Sequence, residues 1–376
     1  MAAPTTTRPM PTAVRAGLVV ALIYVFLVGV ASLEAGIKLL GADVQEQLFS
    51  SVSNPLAGLF VGILATVLVQ SSSASTSVIV GLVASGAVGL DAAVPMIMGA
   101  NIGTTVTNTL VSLGHVRQSA EFTRAFAAAT VHDFFNLAAV TILLPLELAT
   151  GMLSESAEWI SERLVGSAGT EWESPIKSLV RWPVDRIIDI GEALSLQGTV
   201  LGVVTIAIGL GIILVSLTFI TKNMRTLVAA RVERSLNAML GKGGGLVAMA
   251  LGVIITITVQ SSSITTSILV PLAAAGVLSL RNAYPVTLGA NVGTTITALL
   301  AAMAASRPEA LTIAIVHTLF NVAAIVIIYP VGVVREVPIR AAEALARLAA
   351  VRTSWALAYV IGTFIVLPLV GIAVLS

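Results

Sequence analysis

The sequence predicts an all-α polytopic membrane protein with two inverted structural repeats, whose re-entrant or broken helices carry paired Gln-Ser-Ser-Ser motifs. Three observations predict it. Hydrophobic residues fill 57% of the 376 positions and charged residues only 10%, against roughly 25% charged in a soluble domain. Apolar runs alternate with polar clusters along the whole chain, and the mean hydropathy is +1.00. An ordered series of polar blocks recurs about half a chain later. The same composition excludes disorder, which needs low hydrophobicity and high net charge. A net charge of +1 without a basic tract excludes a nucleic-acid partner. The absence of cysteine excludes disulfides, thiol redox chemistry and thiolate zinc sites. Three histidines are too few for most metal clusters.

Residues 1–54 hold a first span and an external connector. The apolar run 17–40 follows Arg8 and Arg15 and is interrupted only near its end, by Glu34 and Lys38. It is too long for a signal-peptide core and lacks a clear cleavage site, so it reads as a retained span with a cytoplasmic N-terminus. Residues 55–150 form repeat 1, with apolar segments at 55–69, 76–90, 92–113 and 122–149. Residues 151–243 comprise an external acidic loop, 151–196, with eight acids and four bases, a linking span, 197–221, and a cytoplasmic basic loop, 222–242. That last loop holds Lys222, Arg225, Arg231, Arg234 and Lys242 against the single acid Glu233. Residues 244–331 form repeat 2, with segments at 244–259, 264–280, 283–305 and 309–331. Residues 332–376 hold an interfacial helix and the last span, 354–375. The stretch 335–352 carries Arg335, Arg340, Arg347 and Arg352, with Ala and Leu largely on one side, the pattern of a helix lying on the cytoplasmic membrane surface. The C-terminus is then extracytoplasmic.

The repeat is explicit. Gln70-Ser71-Ser72-Ser73-Ala74-Ser75-Thr76-Ser77 returns 190 positions later as Gln260-Ser261-Ser262-Ser263-Ile264-Thr265-Thr266-Ser267. The same offset maps Gly99-Ala100-Asn101-Ile102-Gly103-Thr104-Thr105 onto Gly289-Ala290-Asn291-Val292-Gly293-Thr294-Thr295. His132-Asp133-Phe134-Phe135-Asn136 matches His317-Thr318-Leu319-Phe320-Asn321 at an offset of 185. Charge bias starts repeat 1 outside and repeat 2 inside, the inverted arrangement of many secondary transporters.

Polar runs this dense are costly in hydrocarbon unless every group finds a partner. Each Gln-Ser-Ser-Ser block ends an apolar half-segment and supplies N-cap residues for the next, so a helix N-terminus points its free N–H groups and positive dipole end into the membrane middle. Hydroxyls and N–H groups suit an oxyanion. Gln carbonyls, hydroxyl oxygens and exposed backbone carbonyls suit a small hard cation such as sodium. Isolated Ser and Thr usually serve helix packing in membranes, but a duplicated four-residue block exceeds that need. No Lys or Arg falls between Lys38 and Arg117, and only Arg281 between Lys242 and Arg307. A bound anion therefore needs neutral donors and accompanying cations, which predicts cation coupling. In the second motif the glycine spacing suits close helix packing, while Asn101, Thr104, Thr105, Asn291, Thr294 and Thr295 offer oxygens for cations. In the third, His132 with Asn136, and His317 with Asn321, share a helix face. Asp133, an acid inside an apolar segment, is a functional suspect; packing is the plainer role for the histidines.

These blocks resemble the type II sodium-dependent phosphate cotransporter family. The resemblance is carried by both Gln-Ser-Ser-Ser motifs, Met98-Gly99-Ala100-Asn101-Ile102-Gly103-Thr104, Arg124-Ala125-Phe126, Ala129-Thr130-Val131-His132-Asp133-Phe134-Phe135-Asn136, Arg281-Asn282-Ala283-Tyr284-Pro285 and Val337-Pro338-Ile339-Arg340. It implies a sodium-coupled symporter importing inorganic phosphate across the cell (inner) membrane by alternating access. It implies phosphate contacts at Ser71, Ser72, Ser73, Ser261, Ser262 and Ser263. It implies sodium contacts at Gln70, Gln260, Ser75, Thr265 and the Asn-x-Gly-Thr residues, with His132, Asp133, Asn136, His317 and Asn321 in support. Sodium is then a co-transported ligand, no cofactor is expected, and the partners are phosphate, Na+, the lipid bilayer and a second copy of the chain as a candidate homodimer. The loop 151–196 is short and cysteine-free where animal members carry a large disulfide-bearing loop, and their C-terminal tail has no counterpart, which suggests a compact bacterial version. Two other readings compete: a transporter of sulfate, arsenate or a phosphonate, and an intramembrane hydrolase built on Ser72, His132 and Asp133. The duplication of the serine blocks, the lack of an acid at Thr318 and the lack of a Gly-x-Ser-x-Gly motif disfavour the hydrolase.

Overall fold

The computed structural model describes residues 11–41, 54–165, 175–239 and 244–375. Arg8, Lys242 and most of the 41–54 connector lie outside them, as do the side chains of Arg225, Arg231, Glu233 and Arg234. Among the described residues every regular element is a helix, as a chain that must satisfy its backbone groups inside hydrocarbon requires. Six are long and apolar enough to cross a membrane: Ala13–Leu39, Ser119–Thr150, Gly198–Met224, Leu280–Met303, Pro308–Ile328 and Ser354–Leu375. Four more are apolar but shorter: Pro55–Val69, Ser72–Ser85, Gly245–Val259 and Ser262–Ala274.

In chain order, α1 (Thr12–Leu39) precedes α2 (Pro55–Val69), α3 (Ser72–Ser85), α4 (Leu90–Gly103), α5 (Val106–Ser112) and α6 (Ser119–Thr150). Next come α7 (Met152–Val165), α8 (Pro175–Ala193) and α9 (Gly198–Met239). The succession then recurs as α10 (Gly245–Val259), α11 (Ser262–Ala274), α12 (Leu280–Met303) and α13 (Pro308–Ile328). The chain closes with α14 (Gly332–Val351), α15 (Ser354–Ile361), a π-helical turn over Gly362–Val366, and α16 (Leu367–Leu375).

Three stretches differ from the expectation. The acidic stretch 151–196 carries helices α7 and α8 rather than a plain loop. Glu147 starts α7, its carboxylate accepting from Leu153 N at 2.6 Å and Ser154 N at 3.1 Å, a negative charge where a helix N-terminus favours one. The basic stretch after 221 continues α9 as helix to Met239. Residues 222–239 contain no Gly or Pro and are rich in Arg, Leu and Ala, so propensity extends the span beyond its apolar part. In α14 the alanine stripe is turned to the protein: Ala346 and Ala349 pack with Phe122, Phe126 and Ala127 of α6.

Glycines set the close packing. α2 and α4 run side by side in the same direction, with Gly58 against Ala92, Gly62 against Met96 and Gly103 against Ile63. A Cβ on Gly99 would overlap the carbonyl oxygen of Leu59. The equivalent pair α10 and α12 meets in the same way, Gly289 lying on Met249 O and Gly252 on Val286 O. α3 ends at the left-handed Gly86 (φ 82°), four residues before α4 begins at Leu90. α3 therefore returns to the face where α2 started, and α2–α3 is a re-entrant hairpin. By the same geometry, with the turn at Gly276 (φ 73°), so is α10–α11.

The hairpins are anchored on opposite faces. On one face Arg307 lies over Gly86, and Asn54 Nδ2 donates to Leu375 O at 3.3 Å. There the buried Glu34 accepts from Ser306 N at 3.1 Å, from Lys38 at 2.6 Å and from the Ser306 hydroxyl. On the other face Arg124 Nε donates to Ala274 O at 2.8 Å, at the end of α11. There Tyr329 lies over Gly245, and Arg281 pairs with Glu336 of α14 at 2.8 Å. Phe135 of α6 meets Tyr284 of α12 edge-on at 6.1 Å, joining the halves in the core.

Candidate functional site

Each hairpin tip is the same local solution. α2 ends at Gln70 (φ 56°, ψ 26°) and α10 at Gln260 (φ 56°, ψ 30°). Both are left-handed non-glycine residues, a conformation that costs roughly 1–2 kcal/mol and concentrates at functional positions. The following serines are extended, and each caps the next helix: Ser71 Oγ accepts from Ala74 N at 3.2 Å and Ser261 Oγ from Ile264 N at 3.3 Å. Gln70 and Gln260 each donate an amide hydrogen back to their own helix, to Val67 O and Ile257 O. That turns each amide oxygen toward a threonine: Thr107 donates to Gln70 Oε1 at 3.1 Å, and Thr297 to Gln260 Oε1 at 2.9 Å.

The two tips face one cavity of about 300 Å³, at the small end of ligand pockets. Gln70, Ser71 and Thr107 line it from one half, Gln260, Ser261 and Ser263 from the other. Leu214, Leu217, Thr218 and Thr221 of α9 supply a third wall. No charged residue lines it. The halves also bond directly. Ser73 Oγ donates to Gln260 O at 3.4 Å, and Thr297 Oγ1 lies 3.5 Å from Ser73 Oγ. Asn108 donates to Thr266 Oγ1 at 2.7 Å and accepts from Ser267 at 2.9 Å. Such a wall offers hydroxyl donors, amide and backbone oxygens and two helix N-termini.

The other predicted residues form a second, buried layer. Ser72, Ser73 and Ser262 are buried behind the tip serines. Ser75 donates to Ser71 O at 3.1 Å, while Thr265 donates to Ser261 O at 3.2 Å and meets Thr256 Oγ1 at 2.8 Å. Thr104, Thr105, Thr294 and Thr295 donate to carbonyls of their own helices, so their outer lone pairs stay available as acceptors. Asn101 donates to Ile97 O at 3.0 Å. His132 Nε2 donates to Asn291 Oδ1, Asn291 Nδ2 to Asn136 Oδ1 at 2.7 Å, and Asn136 Nδ2 to Asn101 O at 2.8 Å, a chain that stitches the halves together. His317 and Asn321 do not repeat it. Asn321 donates back to His317 O at 2.9 Å, and His317 Nδ1 has no partner among the described residues. Asp133 accepts from Tyr359 of the last span at 2.8 Å. His132 and Asp133 thus bond to Asn291 and Tyr359 rather than to a serine, and the hydrolase geometry does not form.

Thr107, Thr297, Asn108, Thr218, Thr221 and Tyr359 were not among the predicted site residues. The two threonines carried a legible signal, since they sit at the same 190-residue offset, three positions beyond Thr104 and Thr294. Asn108 faces Ala298 across the repeat, so duplication could not flag it. The α9 threonines and Tyr359 lie outside both repeats.

Comparison with known proteins gives the family. The family profile described as Na+/Pi-cotransporter matches residues 25–155 and 199–338. The chain is 34% identical to sodium-dependent phosphate transport protein 2A of Ovis aries over 433 aligned positions, covering 95% of this chain and 67% of the relative. It is 31% identical to sodium-dependent phosphate transport protein 2B of Homo sapiens over 441 positions, covering 94% and 64%. It thus spans about two thirds of the length of the curated relatives it matches. No solved structure matches the chain.

Proposed function

The chain belongs to the Na+/Pi-cotransporter family, a family of sodium-coupled phosphate symporters and not of enzymes, and from that premise we propose that it imports inorganic phosphate with sodium by alternating access at the cavity between its two hairpin tips. One observation carries the reading: two re-entrant hairpins anchored on opposite faces bring Gln70-Ser71 and Gln260-Ser261 to one uncharged cavity. Sodium is cargo in this scheme. Ser71, Ser261 and Ser263 line the cavity with hydroxyls and are the first phosphate contacts, with Ser72, Ser73 and Ser262 behind them. Gln70, Gln260, Ser75, Thr265, Asn101, Thr104, Thr105, Asn291, Thr294 and Thr295 supply the oxygens from which the sodium sites are drawn. With no arginine in the wall, the anion's charge is met by the co-bound cations and by charge-assisted hydrogen bonds worth roughly 1.5–3 kcal/mol each.

The halves 55–150 and 244–331 act as inverted repeats about this cavity, and rocking of one against the other exposes it alternately. The face bearing α14, with Arg335, Arg340, Arg347 and Arg352, is the cytoplasmic one in a cell (inner) membrane. The test is radiolabelled phosphate uptake into proteoliposomes under an inward sodium gradient, compared with an equal potassium gradient. Uptake with sodium alone is expected. Equal uptake in both gradients would remove sodium from the mechanism, and sodium-driven uptake of labelled sulfate or arsenate without phosphate uptake would reassign the anion.

A further inference from the structure

A second cavity, of about 350 Å³, lies away from the hairpin tips, where α6, the α11–α12 turn and α14 meet. We propose that it is a binding site for the headgroup of an anionic phospholipid, with the lipid's upper acyl chain against its apolar wall. Arg124 and Arg347 line it together with Thr123, Ser279, Leu278 and Leu280. Unlike Arg281 and Arg340, these two arginines form no ion pair among the described residues. Arg281 and Arg340 are paired with Glu336, and Arg281 also approaches Glu343 at 3.8 Å. Arg347 has no ion-pair partner among the described residues. Arg124 spends Nε and Nη2 on the carbonyls of Ala273 and Ala274, which leaves Nη1 free and its charge without a carboxylate partner among the described residues. Ser279 Oγ accepts from Asn282 N at 3.3 Å as the α12 cap, so its hydroxyl hydrogen remains free to donate. Glu343, the one acid of the wall, is drawn toward Arg281.

The chemistry is therefore amphipathic: two guanidinium groups and a hydroxyl beside Ala127, Ala273, Leu278 and Leu280. Basic pockets among membrane helices on the cytoplasmic side suit lipid phosphates, and guanidinium is the cation best matched to phosphate oxygens. A soluble anion would leave the apolar wall wet. A phospholipid fills both parts. The position also has a consequence. Arg124 holds the carbonyl end of α11, the outer end of one re-entrant hairpin, so a headgroup phosphate on its free edge bears on an element that ends at Gln260 and Ser261.

Native mass spectrometry of the purified full chain, offered equimolar phosphatidylglycerol and phosphatidylcholine, tests the site without reference to transport. Wild-type protein is expected to retain phosphatidylglycerol preferentially. Arg347→Gln should lower that preference about fivefold, the factor equivalent to the ~1 kcal/mol an arginine contributes at an anionic membrane surface. Arg352→Gln, five residues on, just past the end of α14 and outside the cavity lining, should leave it unchanged, and matching thermal midpoints for the two variants certify folding. Equal retention of the two lipids by wild-type protein, or equal loss in both variants, overturns the proposal. Displacement of the lipid by millimolar glycerol phosphate as readily as by phosphatidylglycerol overturns it in favour of a soluble phosphate ester.

Discussion

Thr297 donates its hydroxyl to Gln260 Oε1 at 2.9 Å, and so fixes which atom of the glutamine amide faces the cavity between the halves. The amide's other end is held by Ile257 O at 2.7 Å, leaving the second lone pair of Oε1 as an oriented oxygen. Removing the hydroxyl without changing side-chain shape frees the amide to rotate. Thr297→Val is expected to weaken the sodium dependence of phosphate uptake about fivefold, the effect of one hydrogen bond of ~1 kcal/mol, and Thr297→Ser should restore it. Thr107→Val, acting on Gln70 at 3.1 Å, should do the same in the other half. Measured sodium activation curves decide; unchanged curves in both valine variants would remove the glutamines from the cation sites.

Ser71 and Ser72 are neighbours with different tasks. Ser71 Oγ caps α3 through Ala74 N, so Ser71→Ala should lower thermal stability by about 1 kcal/mol as well as impair uptake, and Ser71→Asn should recover the stability. Ser72 is buried at the first position of α3 and Ser262 at the first position of α11. Among the described residues neither hydroxyl takes part in a helix cap, which falls to Ser71 and Ser261. Ser72→Ala and Ser262→Ala should therefore abolish uptake while leaving the unfolding midpoint close to wild type. Normal transport in both would remove these two residues from the phosphate site.

The helical membrane class was legible because hydropathy is a bulk property, and the breaks at Gln70 and Gln260 because polar blocks in an apolar chain have few structural uses. Whether each break makes a re-entrant hairpin or a broken span was not legible. It depends on which way α3 leaves Ser71, and that is decided by glycine contacts between α2 and α4 far apart in sequence. The third wall was hidden for a related reason: Thr218 and Thr221 look like ordinary helix hydroxyls, and Thr218 indeed donates to Leu214 O at 2.7 Å. Duplication exposed the pairs Gln70 with Gln260 and Ser71 with Ser261. It was silent wherever the halves diverge, as at Asn108 and Ala298, or at Asp133 and Thr318.

The contact between Arg281 and Glu336 anchors α14 to the start of α12 and should respond to acid. The Arg281 guanidinium, hydrogen-bonded to the carboxylate and close in charge, holds Glu336 below its ordinary range. A carboxyl whose folded-state value lies below its unfolded value adds stability that is complete above the unfolded value, about 4.3, and is lost as pH falls through the folded one. Amide exchange along α14, corrected for the intrinsic pH dependence of amide hydrogens, is thus expected to rise below about pH 4.3 and to stay flat through neutral pH. Glu336→Gln should exchange faster at neutral pH and lose the acid-dependent increase. An identical acid response in the variant would assign it to other carboxyls.

The parallel packing of α2 on α4, and of α10 on α12, rests on backbone touching backbone. A methyl on Gly99 would meet Leu59 O, and one on Gly289 would meet Met249 O. Neither partner can yield as a flexible side chain could, because each carbonyl belongs to a helix ladder. Overpacking of this kind costs about 1–3 kcal/mol where neighbours can relax, and backbone contacts relax least. Gly99→Ala and Gly289→Ala are expected to lower the yield of folded protein by severalfold, measured by size-exclusion fluorescence of the tagged chain. Gly114→Ala, where a methyl meets nothing within 4 Å, should match wild type. Equal yields for all three variants would show that α2 and α4 are less closely packed in the membrane than their glycine contacts require, and would release the hairpin tips from the position on which the whole cavity depends.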